Sequence, residues 1–185
     1  MIWFSADFHL SHKNIIKYCN RPFQDIEEMN HTILKNLKSK TKPKDILYYL
    51  GDLTFRENVA VEFFETFKHL EIHYVIGNHD NQKVLKIVEE YCISVSPLKD
   101  IRIQEQDITL CHYAMRVWNK SHFNAWQLYG HSHAVLEPVG KQYDVGVDNN
   151  HFFPVSFDEL IKIMNNRPDN YNYIPPEKRN RELKE

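Results

Sequence analysis

Residues 74–81 read YVIGNHDN. The β-formers Tyr74, Val75 and Ile76 stop at Gly77, and an amide, an imidazole and a carboxylate follow at once in Asn78, His79 and Asp80. IHYVI (72–76) reads as a strand and NQKVLKIVEEY (81–91) as a helix. A buried strand that passes through a short polar turn into a helix is the unit of a parallel α/β sheet. Taken alone, the polar group serves equally well in a turn. Its meaning depends on partners elsewhere in the chain.

Working outward, DILYYL (45–50) is a second short buried strand that runs into Gly51-Asp52, and NVAVEFFETFKHL (58–70) lies between the two strands as a helix. MIWFSA is a first strand and HKNIIKYC a short helix. Asp25 caps a longer helix whose Ile26, Met29, Ile33, Leu34 and Leu37 share one face. The order β-α-α-β-α-β-α predicts a largely parallel sheet covered by helices. The second half changes character. DIRIQEQDITLCH predicts a hairpin turning near Gln106-Asp107, followed by the aromatic-rich loop YAMRVWNKSHFNAW and by strands at WQLYG and KQYDVGV. SFDE (156–159) predicts a capping box that opens a last helix. Residues 1–166 read as one domain. The polar, proline-containing tail, 167–185, reads as either disordered or a strap laid over the surface.

The bulk numbers exclude more than they identify. A chain of 185 residues with 42% hydrophobic and 26% charged content is ordinary for a globular domain. A formal charge of −2 supplies no overall basic field for nucleic acid. Three widely spaced cysteines make no disulfide framework and fit a reducing compartment. With no secretory signal pattern and no apolar run near the ~20 residues of a membrane span, the expectation is a cytoplasmic protein without a membrane partner.

Five segments place polar groups just after apolar runs. They contribute Asp7 and His9, Asp52, Asn78 and His79, His112, and His131 and His133. In an open α/β sheet, ligands gather beyond the carboxyl ends of strands. On extended backbone, residues two apart point to the same side, so Asp7/His9 and His131/His133 are each expected to converge. Imidazole plus carboxylate without thiolate suits Mn, Fe, Zn, Co or Ni. Seven ligand-type residues exceed what one tetrahedral ion uses; they suit two ions about 3.5–4 Å apart that share a carboxylate. Cys111, one residue before His112 on a strand, is expected to point the other way, into the core. Gly51, Gly77 and Gly130 are expected to let the chain turn sharply beside the ions.

The ordered set D-x-H, G-D, G-N-H-D, H, G-H-x-H resembles the calcineurin-like metallophosphoesterase superfamily. With HLSHKNIIKYCNRPF after the first block, it is similar to the small single-domain bacterial or phage-type members. The resemblance runs from Asp7 to His133. It implies an α/β fold, a four-layer α/β/β/α sandwich of two mixed sheets with helices outside. It also implies two divalent transition-metal ions, Mn first among them: Asp7, His9 and His133 on one, Asn78, His112 and His131 on the other, and Asp52 bridging. A metal-bridging hydroxide is the implied nucleophile, and His79 the general acid.

The implied activity is a phosphodiesterase on a small nucleotide-like phosphate ester. The alternatives are a phosphomonoesterase, a nuclease, or a non-catalytic binding module of the same fold. Nuclease members carry capping regions for which 185 residues leave no room. A sister group of protein phosphatases continues its second block as G-D-x-x-D-R-G, whereas this chain has GDLTFRE, with Phe55 where that group has the aspartate that partners the catalytic histidine. A protein phosphatase is therefore not expected. For substrate contacts the candidates are His12, Arg21, Arg56 and Trp118. The arginines are either phosphate-binding or surface ion-pair residues, and Trp118 belongs to a cluster with Tyr113, Met115, Phe123 and Trp126 that is either core or a ring-stacking wall.

Overall fold

The computed structural model describes residues 1–179. The chain runs β1 (Ile2–Ser5), α1 (Lys13–Tyr18), α2 (Ile26–Lys40), β2 (Ile46–Tyr49), α3 (Glu57–Phe67), β3 (Glu71–Val75), α4 (Gln82–Tyr91), β4 (Ser94–Ser96), β5 (Leu98–Ile103), β6 (Gln106–Cys111), β7 (Trp126–Tyr129), β8 (Gln142–Asp144), β9 (Val155–Ser156), α5 (Phe157–Asn165) and α6 (Pro176–Arg179). The strands form two mixed sheets. One is ordered β4-β3-β2-β1-β9, with β9 antiparallel to β1 and the rest parallel. The other is β5-β6-β7-β8, with an antiparallel β5-β6 pair and parallel pairs beyond it.

Period-two alternation in the first sheet builds two cores. Trp3, Leu47, Tyr49, Ile72 and Tyr74 face α2, α3 and α4, meeting Met29, Ile33, Leu37, Phe63, Phe64, Phe67, Val84 and Val88. Their alternates Phe4, Tyr48 and Val75 face the second sheet, meeting Ile108, Leu110, Trp126 and Leu128, with Phe157, Leu160 and Met164 of α5 in the same cluster. The helix starts are chemically specified. Asp25 accepts from Glu28 N, Asn81 accepts from Lys83 N and Val84 N, and Ser156 and Glu159 form the expected capping box.

The outer face of the second sheet is polar where the aromatic loop crosses it. Gln127 donates to Tyr113 O and Gln142 donates to Met115 O. Residues 167–179 lie over this loop: buried Asn170 donates to Ser121 O and Ala125 O, and Ile174 N donates to His122 O. The rest of the tail, residues 180–185, lies outside the described residues.

Two local expectations are corrected. The β5-β6 hairpin turns at Gln104-Glu105, both with positive φ, rather than near Gln106-Asp107, which begins β6. Cys111 does oppose His112, but it emerges half-buried on the outer face and not in the core, because only the Ile108/Leu110 side of β6 meets the first sheet. Among the described residues, no helix is long and apolar enough to cross a membrane.

Candidate metal centre

The ligand-type residues gather where β1, β2, β3, β6 and β7 end. The loop after β1 is zipped to the loop after β2: Asp7 N donates to Gly51 O, His9 N to Asp52 O and Leu10 N to Leu53 O, at 3.1, 3.0 and 2.8 Å. Extended backbone is not what makes the pairs converge. Asp7, His9, Asp52, His131 and His133 all have left-handed backbone, with φ of 61°, 50°, 61°, 66° and 46°. Such conformations cost of order 1–3 kcal/mol each and persist where surrounding contacts over-determine them. They also send the members of His131/His133 to different clusters, correcting the expectation that each pair meets at one locus. Asp7, His9 and His133 bring ligand atoms within 4.8 Å of one another, and so, separately, do Asp52, His112 and His131.

Each carboxylate is tied by one oxygen and free at the other. Asp7 Oδ2 accepts from His131 N and Asp52 Oδ1 from His79 N, both at 2.8 Å, so each aspartate holds down a loop that carries another site residue. Asp7 Oδ1, Asp52 Oδ2 and His9 Nε2 are buried without a hydrogen-bond partner. Orphans of this kind are costly unless something else satisfies them, and three converging in one place fit a cation. Asp52 Oδ2 lies 3.6 Å from His9 Nε2 and 3.3 Å from His112 Nε2, between the two clusters. His112 Nδ1 donates to Leu50 O at 2.6 Å, which leaves Nε2 facing inward, 3.0 Å from Asn78 Oδ1. Gly77 and Gly130 are needed for close approach, not for their φ: a Cβ at Gly77 would overlap Asp52 Oδ1, and one at Gly130 would meet Asp7 Oδ2 at 2.6 Å. Gly51 alone of the three needs its left-handed φ of 88°.

The electrostatics of the metal-free cluster are those of groups waiting for positive charge. Burial pushes the Asp7 carboxyl up to about 7, and burial drives His9 down to about 3. For His133, burial opposes protonation, but the 2.7 Å hydrogen bond to Asp148 outweighs it and the ring is raised to about 10. Asp52 is likewise opposed by burial, yet its contacts with His112 hold it below the usual carboxylate range.

The candidate substrate residues separate. Arg21 is no phosphate ligand: its side chain is buried, Nε and Nη2 grip Asp148 at 2.8 Å, and the remaining N–H groups go to Asp7 O, Phe8 O and Met29 Sδ. No donor is left over. Trp118 is no wall beside the metals either; its Nε1 donates to Ala125 O and it packs with Gln142, Asn170 and Tyr171 around a cavity of about 60 Å³ on the outer face of the second sheet. His12 does reach the site, with its ring 5.7 Å from that of His9. Arg56 is exposed at the start of α3, next to Phe55.

Three aspartates outside the expected ligand set brace the loops. Asp148 orients His133 and is itself clamped by Arg21. Asp80 accepts from Gly77 N, Asp52 N and Tyr74 Oη, so it locks the GNHD turn to the GD turn. Asp144 accepts from Ser132 Oγ, Ala134 N and Gly146 N beneath the HSH loop. Asp80 sits inside a quoted block, so its position was a signal; Asp148, 127 residues from Arg21, gave none. Cys19, His133 and Asp148 also cluster, but with Arg21 on both Asp148 oxygens, a guanidinium already occupies the place of a cation.

Two mixed sheets with carboxylates and imidazoles converging at one edge fit the class of metal-dependent hydrolases. Residues 1–179 match the calcineurin-like phosphoesterase family, and the chain belongs to it. An uncharacterized protein of Methanocaldococcus jannaschii is 35% identical over 173 residues, 88% of this chain and 90% of that one. A protein of unknown function, AQ665 from Aquifex aeolicus, superposes with a TM-score of 0.69 at 27% identity, over 88% of this chain and 98% of that chain. A protein described as a novel archaeal phosphodiesterase aligns with a TM-score of 0.43 at 14% identity, over 78% and 82%.

Proposed function

We propose that the chain is a binuclear-metal phosphohydrolase that cleaves phosphodiesters of small, nucleotide-like alcohols, with His79 as general acid. The observation that carries the two-ion reading is the free Asp52 Oδ2, 3.6 Å from His9 Nε2 and 3.3 Å from His112 Nε2. Asp7, His9, His133 and Asp52 would hold one ion, and Asn78, His112, His131 and Asp52 the other. When bound, two divalent ions, Mn foremost, would act as Lewis acids toward the attacking water and the phosphoryl oxygens.

The rest of the chemistry belongs to side chains. The ring of His79 is exposed between His9 and Phe55, with centroids 5.3 and 5.2 Å away, while its backbone N–H is fixed on Asp52. From there it would serve as general acid toward the oxygen of the departing alcohol. A diester is favoured over a monoester because the candidate substrate residues supply little spare positive charge. Arg21 is fully consumed, so of the two candidate arginines only Arg56 remains for phosphate, and a diester carries one negative charge where a monoester carries up to two. The functional unit is the domain of residues 1–166, with the strap as its appendage. The free thiols of Cys19, Cys92 and Cys111 support a cytoplasmic setting.

The test is hydrolysis of bis-p-nitrophenyl phosphate and p-nitrophenyl phosphate by protein reconstituted with Mn, Zn, Fe or Ni, alongside metal analysis. The expected result is two ions per chain and faster diester cleavage. One ion at saturation, or preference for the monoester, overturns the corresponding part; two ions with no hydrolysis of any ester favours a binding module.

A further inference from the structure

Three large rings stand open to solvent around the metal centre, and they fall on two sides of it. On the His9 side, Phe55 is 40% exposed and Tyr18 73% exposed. They belong to a chain of ring contacts that runs outward from the proposed acid: His79 to Phe55 at 5.2 Å, Phe55 to His12 at 5.0 Å, and His12 to Tyr18 at 6.3 Å, all edge-on. On the other side, Tyr113 lies against His131 and His112, at 4.8 and 5.2 Å.

Single exposed apolar residues are normal, but a contiguous run beside a reactive centre marks a ligand surface. This run is also fixed in place. Asn81 Nδ2 donates to Phe55 O at 3.1 Å, so the residue that caps α4 also anchors the backbone of Phe55.

We propose that Phe55 and Tyr18, joined through His12, form a stacking floor for a flat unsaturated group, a nucleobase or a ring like it, on the ester arm next to His79. The proposal rests on the phosphoesterase reading for the position of the phosphate, and it assigns the class of alcohol that this edge of the site accepts. Phe55 thereby gains a reason to stand where a sister group has a carboxylate. It gives up an orienting anion for a ring that both packs on His79 and meets substrate.

The test compares two probes that differ only by a base, adenosine 5′-monophosphate and ribose 5-phosphate, titrated calorimetrically into Mn-loaded protein. The intact protein is expected to bind the nucleotide roughly tenfold or more tightly, the usual scale of one base on an aromatic platform. Phe55→Ala should cut that ratio about fivefold and Tyr18→Ala by less, with ribose 5-phosphate affinity unchanged. Phe55→Tyr should keep the ratio, and so should Tyr113→Ala on the opposite side. Equal affinities in the intact protein, a ratio that survives Phe55→Ala, or one lost only in Tyr113→Ala would overturn the assignment. The two readings fail separately. Diester hydrolysis without base preference removes the stacking floor and keeps the phosphoesterase; base preference without hydrolysis of any ester does the reverse.

Discussion

Around Asp7, His9 and His133 no side chain is fully exposed, whereas around Asp52, His112 and His131 the last lies open, as does Asn78 beside it. The first cluster is braced from behind by a buried ion pair: Arg21 grips Asp148, Asp148 orients His133, and Arg21 also holds the carbonyls of Asp7 and Phe8. The second leans on backbone, through His112 to Leu50 O, and its Asp52 carboxylate also approaches His9 of the first, at 3.6 Å. One half of the centre is a rigid socket and the other a rim. An ion in the socket should exchange slowly, and the rim should be where ions and substrate come and go.

The substitution that breaks the comparison most completely is Asp52→Asn, because its free oxygen faces both halves. Both ions should be lost at micromolar metal, with a fall in diester hydrolysis beyond the 10–100-fold typical of removing an outer partner. Retention of two ions and full rate would remove the bridge. Next in size is His79→Ala, which should spare metal content and cost roughly 10²–10⁴-fold on a nucleoside leaving group, but far less on p-nitrophenolate. Equal losses on the two leaving groups would make His79 a structural residue.

Smaller effects should separate the halves. Asp148→Asn is expected to weaken the first ion by about 10–100-fold and leave the second nearly unchanged. Competition with a chelator, read site by site with Co(II) spectra, checks this; parallel loss at both sites would show that the brace serves the whole edge. Arg21→Met would leave Asp148 with only protonated His133 and strip the carbonyls of Asp7 and Phe8 of a donor, and should destabilise the fold by about 1–3 kcal/mol, measured by urea unfolding of the metal-free protein.

The smallest difference lies in proton release. At pH 7 the metal-free socket has His133 protonated, since its ring is raised to about 10, and Asp7 half-protonated, raised to about 7. Metal binding must expel those protons, so affinity at the first site should rise from pH 6 to 8. The sign follows because protons compete with the ion until pH exceeds both values. Both raised groups act on the metal-free fold as well: the contribution of Asp7 is full below its ordinary 3.8 and is lost as pH rises through about 7, and that of His133 is full below 6.5 and is lost as pH rises through about 10. Calorimetry in buffers of different ionisation enthalpy measures the release, and affinity that does not change over this range would contradict it.

Residues with local signatures were legible. Ligands fell at strand ends because short apolar runs stop at Gly51, Gly77 and Gly130, and Asp25 and Ser156 announced their helices through side chains that bond only a few residues away. Arg21 was misread because it follows a helix in a polar stretch, NRPF, that looks like surface, and only its contact with Asp148 across 127 residues buries it. Trp118 was misread because an aromatic beside a ligand loop looks the same in sequence whether it faces the metals or the strap.

By itself, then, the sequence determined which ligand-type residues fall at strand ends and which strands deliver them, because residue type and apolar periodicity are local properties of the chain. Folding decided their geometry. Left-handed backbone at Asp7, His9, Asp52, His131 and His133 keeps Asp7 with His9 in one cluster but parts His131 from His133. Such conformations survive only where long-range hydrogen bonds, as from His131 N to Asp7 Oδ2 and from Asp52 N to Asp80 Oδ2, hold the turns against their strain.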